Sequence, residues 1–240
     1  MKKITLTIVC ALAVTGAAFA KGTLAWNVIT PAAITAQTNT TTYSPLFFGG
    51  GSSGFGTVGA TATTPGGFYF ELLYNTAFTG SQVTAPTWQQ LASSWIDTGL
   101  EANNATASAG KLTPMNPTNA AVVSGWAGGI GTLGGTTNNI ILVGWSSNLG
   151  TSWLAVSNVL ANWDVDCIDN AFFGESTTGY LVPNTGNPGA IPFNTVASVS
   201  GLPINSPNMQ LYILGIPEPG TIALVGFGGL SLLLFRRRKQ

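Results

Sequence analysis

Few side chains in this sequence are suited to catalysis near neutral pH. None of the 240 residues is histidine, and the two cysteines are Cys10 and Cys167. The lack of histidine excludes Ser-His-Asp and Cys-His catalysis, His-ligated zinc and the usual general base near neutral pH. We therefore predict no cofactor and no transition-metal site, and the remaining chemistry depends on carboxylates and tryptophans.

Carboxylates offer one enzymatic alternative. A glycosidase needs two of them roughly 5 to 10 Å apart, and Glu71, Asp97, Glu101 and Glu175 are candidates. Any protein with several acidic residues offers such pairs, so the pattern is nonspecific. We predict that the protein is not an enzyme, with a secreted carbohydrate-active enzyme as the alternative.

One acidic cluster has close spacing. Asp164, Asp166 and Asp169 could supply the hard oxygen ligands that Ca²⁺ prefers. The EF-hand pattern fails, because Ile168 occupies the third ligand position and Ala171 stands near the required glycine turn. We favour a solvated loop and keep these aspartates as a weak calcium candidate.

The tryptophans and the remaining cysteine each have two interpretations. Trp126 and Trp145 are candidates for stacking on a glycan, because indole rings pack on sugar faces, although core packing explains them equally well. We expect Cys167 to be a small buried hydrophobe, with an intermolecular or reactive thiol as the alternative.

The first 20 residues have the pattern of a secretory signal peptide. Lys2 and Lys3 precede an apolar run, and Ala18 and Ala20 form a small-x-small cleavage site. We therefore expect export through the Sec pathway and cleavage by signal peptidase after Ala20. An uncleaved N-terminal anchor is the alternative.

The other end of the chain has three parts in order. Pro217-Glu218-Pro219 precedes an apolar run at residues 221–235. That run of 15 residues would span roughly 22 Å as a helix, whereas a full membrane span needs about 20 residues. The basic cluster Arg236, Arg237, Arg238 and Lys239 follows. By the positive-inside rule it keeps the C-terminus cytoplasmic and the rest of the chain outside.

This tail resembles the PEP-CTERM sorting signal of Gram-negative bacteria. The Pro-Glu-Pro motif, the short Gly- and Leu-rich helix and the arginine cluster occur in the order and spacing of that signal. The resemblance implies recognition and removal of the tail by a membrane-embedded exosortase acting near the motif. It also implies a surface or matrix protein of a bacterium that makes exopolysaccharide. The body has a weaker resemblance to the β-rich ectodomains of verrucomicrobial proteins with this tail.

Between the two ends lies a body of unusually low charge. Charged residues make up 7% of the chain, against about a quarter in soluble domains. Within residues 21–215, two lysines stand against seven acidic residues, so the body has a net charge of −5. An acidic body without basic patches argues against nucleic-acid binding.

The patterning of the body favours strands. Residues 67–74, 120–126 and 139–146 are apolar or aromatic runs bounded by turn residues, and they predict strands. Residues 35–42, which are rich in Thr, Asn and Gln, are expected to form an exposed edge or loop. Helical spacing of tryptophans and leucines predicts short helices after Pro86 and within residues 152–163.

Together these features predict three segments. They are a signal peptide at 1–20, a β-rich extracytoplasmic domain at 21–215 and a sorting signal at 216–240. The signal comprises the motif at 217–219, a transmembrane helix at about 220–235 and the basic cluster at 236–239. The predicted fold is all-β, an antiparallel β-sandwich with a jelly-roll variant as one option and one or two short helices.

The corresponding functional hypothesis is an exported protein of the cell surface or extracellular matrix. Its role would be structural or adhesive, with exopolysaccharide as a candidate partner. It would pass through an inner-membrane intermediate, transient or permanent. If the tail is never cut, the protein is instead a permanently anchored ectodomain.

Overall fold

The body of the chain folds mainly as β-strands. The computed structural model describes residues 21–26, 34–47, 51–52, 58–61, 66–77, 85–105, 108–129, 134–163, 165–186, 189–194 and 201–216. The predicted signal peptide, the Pro-Glu-Pro motif, the transmembrane helix and the basic cluster lie outside these residues. Within them, no helix is both long and apolar enough to cross a bilayer.

The described strands are between two and ten residues long. They are β1 (Lys21–Ala25), β2 (Ile34–Tyr43), β3 (Gly51–Ser52), β4 (Val58–Ala60), β5 (Phe68–Asn75), β6 (Ile96–Asn104), β7 (Leu112–Pro114), β8 (Ala120–Ala127), β9 (Asn138–Ser146), β10 (Phe172–Glu175), β11 (Gly179–Leu181), β12 (Gly201–Leu202) and β13 (Ser206–Ile213). Two helices are described, α1 (Trp88–Ser94) and α2 (Trp153–Ala161), and a 3₁₀ turn spans Ser147–Leu149. The predicted strands at 67–74, 120–126 and 139–146 correspond to β5, β8 and β9.

Most strands belong to one mixed sheet. Its order is β3-β2-β13-β10-β9-β5-β6-β7, with β4 beside β2, and β11 beside β9 and β12. The pairs are antiparallel except for β2 and β13, which run parallel. Strands β1 and β8 form a separate antiparallel pair. The prediction of a mainly-β body is therefore confirmed, whereas a sandwich of two comparable antiparallel sheets is not observed among the described residues.

Strand β9 lies at the centre of the main sheet, and each of its nine residues is buried. Ile140 and Leu142 project into a core shared with Leu24 and Trp126 of the β1–β8 pair. Ile141, Val143 and Trp145 project to the opposite face, where α1 and α2 pack. A continuous apolar run is typical of a strand that is covered on both faces, and this sheet is covered by strands on one face and helices on the other.

Both predicted helices are present, and local capping sets where they begin. At α1 the Thr87 hydroxyl accepts from the Gln90 N–H at 3.3 Å, and the Gln90 side chain accepts from the Thr87 N–H at 2.8 Å. This reciprocal pair is a capping box, which satisfies N–H groups that the first turn leaves unpaired. At α2 the Ser152 side chain caps the helix, and Trp153, Val156 and Leu160 face the sheet.

Candidate functional site

Three acidic side chains from two neighbouring strands meet on the helix-covered face of the main sheet. Glu71 in β5 lies opposite Glu101 in β6, and Leu73, two residues further along β5, lies opposite Asp97. Directly opposed residues of antiparallel strands project to the same face. Glu71, Asp97 and Glu101, here called the carboxyl cluster, therefore share one side of the sheet. An irregularity in the register between Glu71 and Leu73 accommodates the extra residues of β6.

Glu71 is the buried centre of the carboxyl cluster, with 2% of its surface exposed. Its two carboxyl oxygens accept from the Trp153 backbone N–H at 3.0 and 3.1 Å. That N–H is in the first turn of α2, where backbone donors have no partner within the helix. A hydrogen bond to the Asp97 side chain completes its contacts within the cluster. Glu71 therefore fixes the start of α2 against the sheet.

Burial shifts the protonation of this cluster. Desolvation raises the pKa of Glu71 to about 8, and the nearby Asp97 charge acts in the same direction. Desolvation also raises the pKa of Asp97 and of Glu101, and for Glu101 the Asp97 charge adds to it. Like charges that are close together and poorly solvated favour retention of a proton. At neutral pH we therefore expect the cluster to hold a proton that Glu71 and Asp97 share.

The cluster contains a carboxyl pair that shares a proton, but the start of α2 blocks a substrate from reaching Glu71. Three of the four carboxylates considered as a glycosidase pair come together here. Glu175 in β10 lies on the far side of Val143, two strands away from Glu71. A substrate could contact Glu71 only if the start of α2 moved aside. The arrangement therefore serves to position α2 in this conformation.

The two tryptophans considered for glycan stacking lie inside the protein. Trp126 is 1% exposed and stacks on the Tyr74 ring at 4.8 Å between centroids, and Trp145 is 0% exposed. Their indole N–H groups donate to the backbone oxygens of Thr136 and Gly150 at 2.7 and 2.8 Å. Neither ring presents a face to solvent, because each side chain projects from its strand into the core.

Asp166, Asp169 and Cys167 lie in the segment that follows α2. Asp166 and Asp169 are exposed, whereas Asp164 lies outside the described residues. No group of three or more His, Cys, Asp or Glu side chains suited to a metal ion occurs in the part of the chain that the structure describes. Cys167 is a free, exposed thiol. The expectation of a buried cysteine was wrong, because this segment lies on the surface and contributes little to the core.

The junction between the body and the C-terminal tail is firmly held. The Ser44 N–H donates to the Ile213 oxygen at 3.0 Å, and the Leu214 N–H donates to the Ala171 oxygen at 2.8 Å. The buried Trp163 indole N–H then donates to the Gly215 oxygen at 2.7 Å. Gly215 is itself buried, and the next residue, Ile216, is 45% exposed. These contacts therefore hold the described chain to the body as far as Gly215, two residues before Pro217.

The junction could not be predicted from the sequence, and the carboxyl cluster could be predicted only in part. A glutamate within the apolar run of β5 is a sequence signal for a buried carboxyl, because an ionised side chain is rarely placed there without a partner. The contact between Trp163 and Gly215 has no such signal. It depends on where α2 ends relative to β13, which only the tertiary fold determines.

Replacing Trp163 by phenylalanine should loosen the junction. The Gly215 carbonyl would lose its donor in a buried setting, which costs about 1–3 kcal/mol. We expect the free energy of unfolding to fall by that amount and the Leu214 amide to exchange its hydrogen faster. Both can be measured on the full chain in detergent, by denaturant unfolding and by hydrogen exchange.

Trp88→Phe is the matched control for this change. The Trp88 ring is half-buried, and its indole N–H donates no hydrogen bond to another described residue. It should leave exchange at Leu214 unchanged. Equal protection of Leu214 in Trp163→Phe and the parent chain would contradict the role given to the Trp163 hydrogen bond.

Comparison with known proteins identifies the segment that follows this junction. Residues 215–239 match the family model of the PEP-CTERM protein-sorting motif. No curated protein and no solved structure matches the chain. The matched segment begins at Gly215, the last residue held by the body, and includes the Pro-Glu-Pro motif and the basic cluster. Residues 215–239 are thus a PEP-CTERM protein-sorting motif, which marks this chain as an exported target of exosortase.

Proposed function

We propose that the mature protein is a structural or adhesive component of the cell surface or extracellular matrix, associated with exopolysaccharide. The observation that carries the proposal is the sorting motif at residues 215–239. In this proposal, Ala18 and Ala20 direct signal cleavage, and exosortase removes the tail near Pro217-Glu218-Pro219. The basic cluster at 236–239 holds the tail in its cytoplasmic orientation until then.

The tail junction supports processing of a folded body. Hydrogen bonds at Leu214 and Gly215 hold the chain to the body just before the motif. Cleavage at the motif would then release a body that keeps all the contacts described for it.

The surface chemistry of the body supports association with neutral polymers. Strands β2 and β13 carry amide and hydroxyl side chains on the helix-covered face of the sheet, and those that are at least partly exposed are Thr35, Gln37, Asn208, Gln210 and Tyr212. We call this set the amide face. Neutral donors and acceptors of this kind bind hydroxyl-rich partners without requiring charge. The low charge of the body is consistent with the same role.

The proposal gives the body no catalytic role. Glu71 is enclosed by the start of α2, and its proton is held in contact with Asp97. A catalytic carboxyl must instead lie within hydrogen-bond reach of the substrate. The carboxyl cluster is better suited to holding the helix layer in place.

Fractionation of the producing cells tests the proposal. We expect the mature protein in the surface and matrix fraction, and we expect enzymatic degradation of the exopolysaccharide to release it into the medium. A chain with Pro217-Glu218-Pro219 replaced by alanines serves as the control, because it should stay in the membrane fraction whether or not the polysaccharide is degraded. Recovery of the parent protein in the medium before any degradation would contradict a matrix role.

A further inference from the structure

A cleft of about 420 Å³ opens on the helix-covered face of the sheet, beside the helices. Asn208, Gln210 and Tyr212 of β13 line one part of it, and Glu175 lies in the neighbouring strand β10. Phe173 pairs with Tyr212 in the β10–β13 register, so Glu175, two residues further along β10, projects to the same face as Tyr212. We call this the polar cleft, and its volume is typical of sites for small ligands.

Of the described residues that line the polar cleft, Glu175 is the one that carries a charged group. Its Oε2 atom is buried and accepts no hydrogen bond from another described residue. Burial raises the pKa of its carboxyl to about 7. The Glu175 side chain as a whole is only partly buried and lines the cleft, so its carboxyl is an acceptor beside any ligand hydroxyl that enters.

The amide side chains of the cleft are held in position by one another. The Gln210 amide accepts from the Asn39 side chain at 3.2 Å and donates to the Asn208 backbone oxygen at 3.1 Å. The Asn208 side-chain oxygen accepts from the Thr35 hydroxyl at 3.3 Å. Because these bonds use only part of each amide's capacity, the Asn208 side chain keeps both its N–H donors and Gln210 keeps one. Such fixed donors reduce the entropic cost of binding.

Two hydroxyls add to this set, and the opposite wall is apolar. The hydroxyls of Tyr212 and Ser206 make no hydrogen bond to another described residue, and both residues line the cleft. Pro45, Leu46 and Ala85 line the apolar wall. A sugar ring presents hydroxyls at its edge and C–H groups on its face, and this combination of walls is complementary to both.

The charges of the lining narrow the ligand class. Among the residues that the structure describes, no lysine or arginine lines the cleft, and the Glu175 carboxyl disfavours an anion, so phosphates and uronic acids fit poorly. A single carboxylate is also too few ligands for Ca²⁺, which takes six to eight oxygens. We propose that the polar cleft binds a short segment of neutral saccharide, with the Glu175 carboxyl accepting from a sugar hydroxyl and the Asn208 and Gln210 amides donating to others. This inference rests on the proposed polysaccharide association and names the site that would carry it.

Calorimetric titration of the full chain tests the site. The chain is purified in a non-glycosidic detergent, since a maltoside would itself present sugar, and is titrated with cellotriose, maltotriose and mannotriose. Trigalacturonate is the anionic comparison. We expect saturable binding of at least one neutral trisaccharide, and weaker or no binding of trigalacturonate.

Two variants locate the binding. Glu175→Gln removes the strong acceptor and should weaken neutral saccharide binding by about tenfold or more. Tyr212→Phe removes one hydroxyl and should weaken binding less. Glu101→Gln, a change of the same type outside the cleft, should leave affinity unchanged. Thermal unfolding of each variant establishes that it is folded.

The binding experiments test the saccharide site independently of the proposed matrix role. Failure of all three neutral trisaccharides to bind, equal affinity of Glu175→Gln and the parent, or tighter binding of trigalacturonate would each overturn the cleft as a neutral saccharide site. None of these results would affect the fractionation experiment, which tests matrix association through any surface of the protein. Conversely, a protein released before polysaccharide degradation would contradict matrix association even if the cleft bound a trisaccharide.

Discussion

The body should lose stability as the pH rises from 5 to 9. Glu71 has a pKa of about 8 in the folded chain, against about 4.3 in an unfolded chain. Between those values the folded state binds a proton that the unfolded state does not. The stabilisation is therefore fully present below the unfolded pKa and is lost as the pH rises through the folded pKa. For Glu71 the expected loss is on the order of 4 kcal/mol.

Three other carboxyls also lower the free energy of unfolding as the pH rises. The folded-state pKa of Asp97, Glu101 and Glu175 is also raised, mainly by desolvation. Denaturant unfolding of the full chain in detergent at a series of pH values measures the effect, with the buried tryptophans as the fluorescent reporter. A free energy of unfolding that rises over this range would contradict a protonated carboxyl cluster.

Glu71→Gln isolates the contribution of the central carboxyl. The glutamine oxygen can still accept from the Trp153 N–H, and its NH₂ group can donate to Asp97, so the amide imitates the protonated acid. We expect a variant close to the parent in stability at pH 5 and more stable at pH 9, with a flatter pH profile. Asp166→Asn, at an exposed position, is the control and should leave the profile unchanged. Equal slopes for Glu71→Gln and the parent would place the titrating group elsewhere.

Replacing Pro217, Glu218 and Pro219 together by alanine should block release of the body. The triple change removes the charge and the restricted proline backbone of the segment that exosortase is expected to recognise. We expect the surface pool to fall by at least tenfold, which corresponds to a recognition loss of about 1.4 kcal/mol or more. The full-length chain should accumulate in the membrane fraction, as measured by immunoblotting.

Two further changes show whether this effect is specific to the motif. Ile216→Ala and Thr221→Ala flank the motif without altering it, and each should leave the surface pool near the parent level. An unchanged surface pool in the triple-alanine chain would contradict sorting through Pro217-Glu218-Pro219.

Elements with a strong local pattern were predictable from the sequence. Strands β5 and β9 are apolar runs bounded by turn residues, and α1 and α2 combine helical spacing with a capping Thr87 or Ser152. Strand β2 was not predictable. Residues 35–42 were expected to form an exposed edge or loop, yet β2 is paired on both sides, with β13 in parallel and with β3 and β4. Its Thr, Asn and Gln residues lack an apolar pattern, and its main partner lies about 170 residues away along the chain.

The acidic residues of the site could be predicted from the sequence, but their positions relative to one another could not. Glu71, Asp97, Glu101 and Glu175 could all be listed, and only strand register decides that three of them meet and that Glu175 faces a cleft instead. Gly99 has a φ of +72°, so the β6 backbone adopts at this point a conformation that favours glycine. Trp126 and Trp145 were ambiguous for the same reason, because residue type alone does not say which face of a strand is covered.

Mass measurement of the mature C-terminus tests directly whether the sorting signal is removed. The protein is recovered from the cell surface, digested, and its terminal peptide is analysed by mass spectrometry. We expect a chain that ends at or near Pro217-Glu218-Pro219 and lacks Arg236 to Gln240. A surface protein that retains the intact basic cluster would contradict removal of the sorting signal and would identify the protein as a permanently anchored ectodomain.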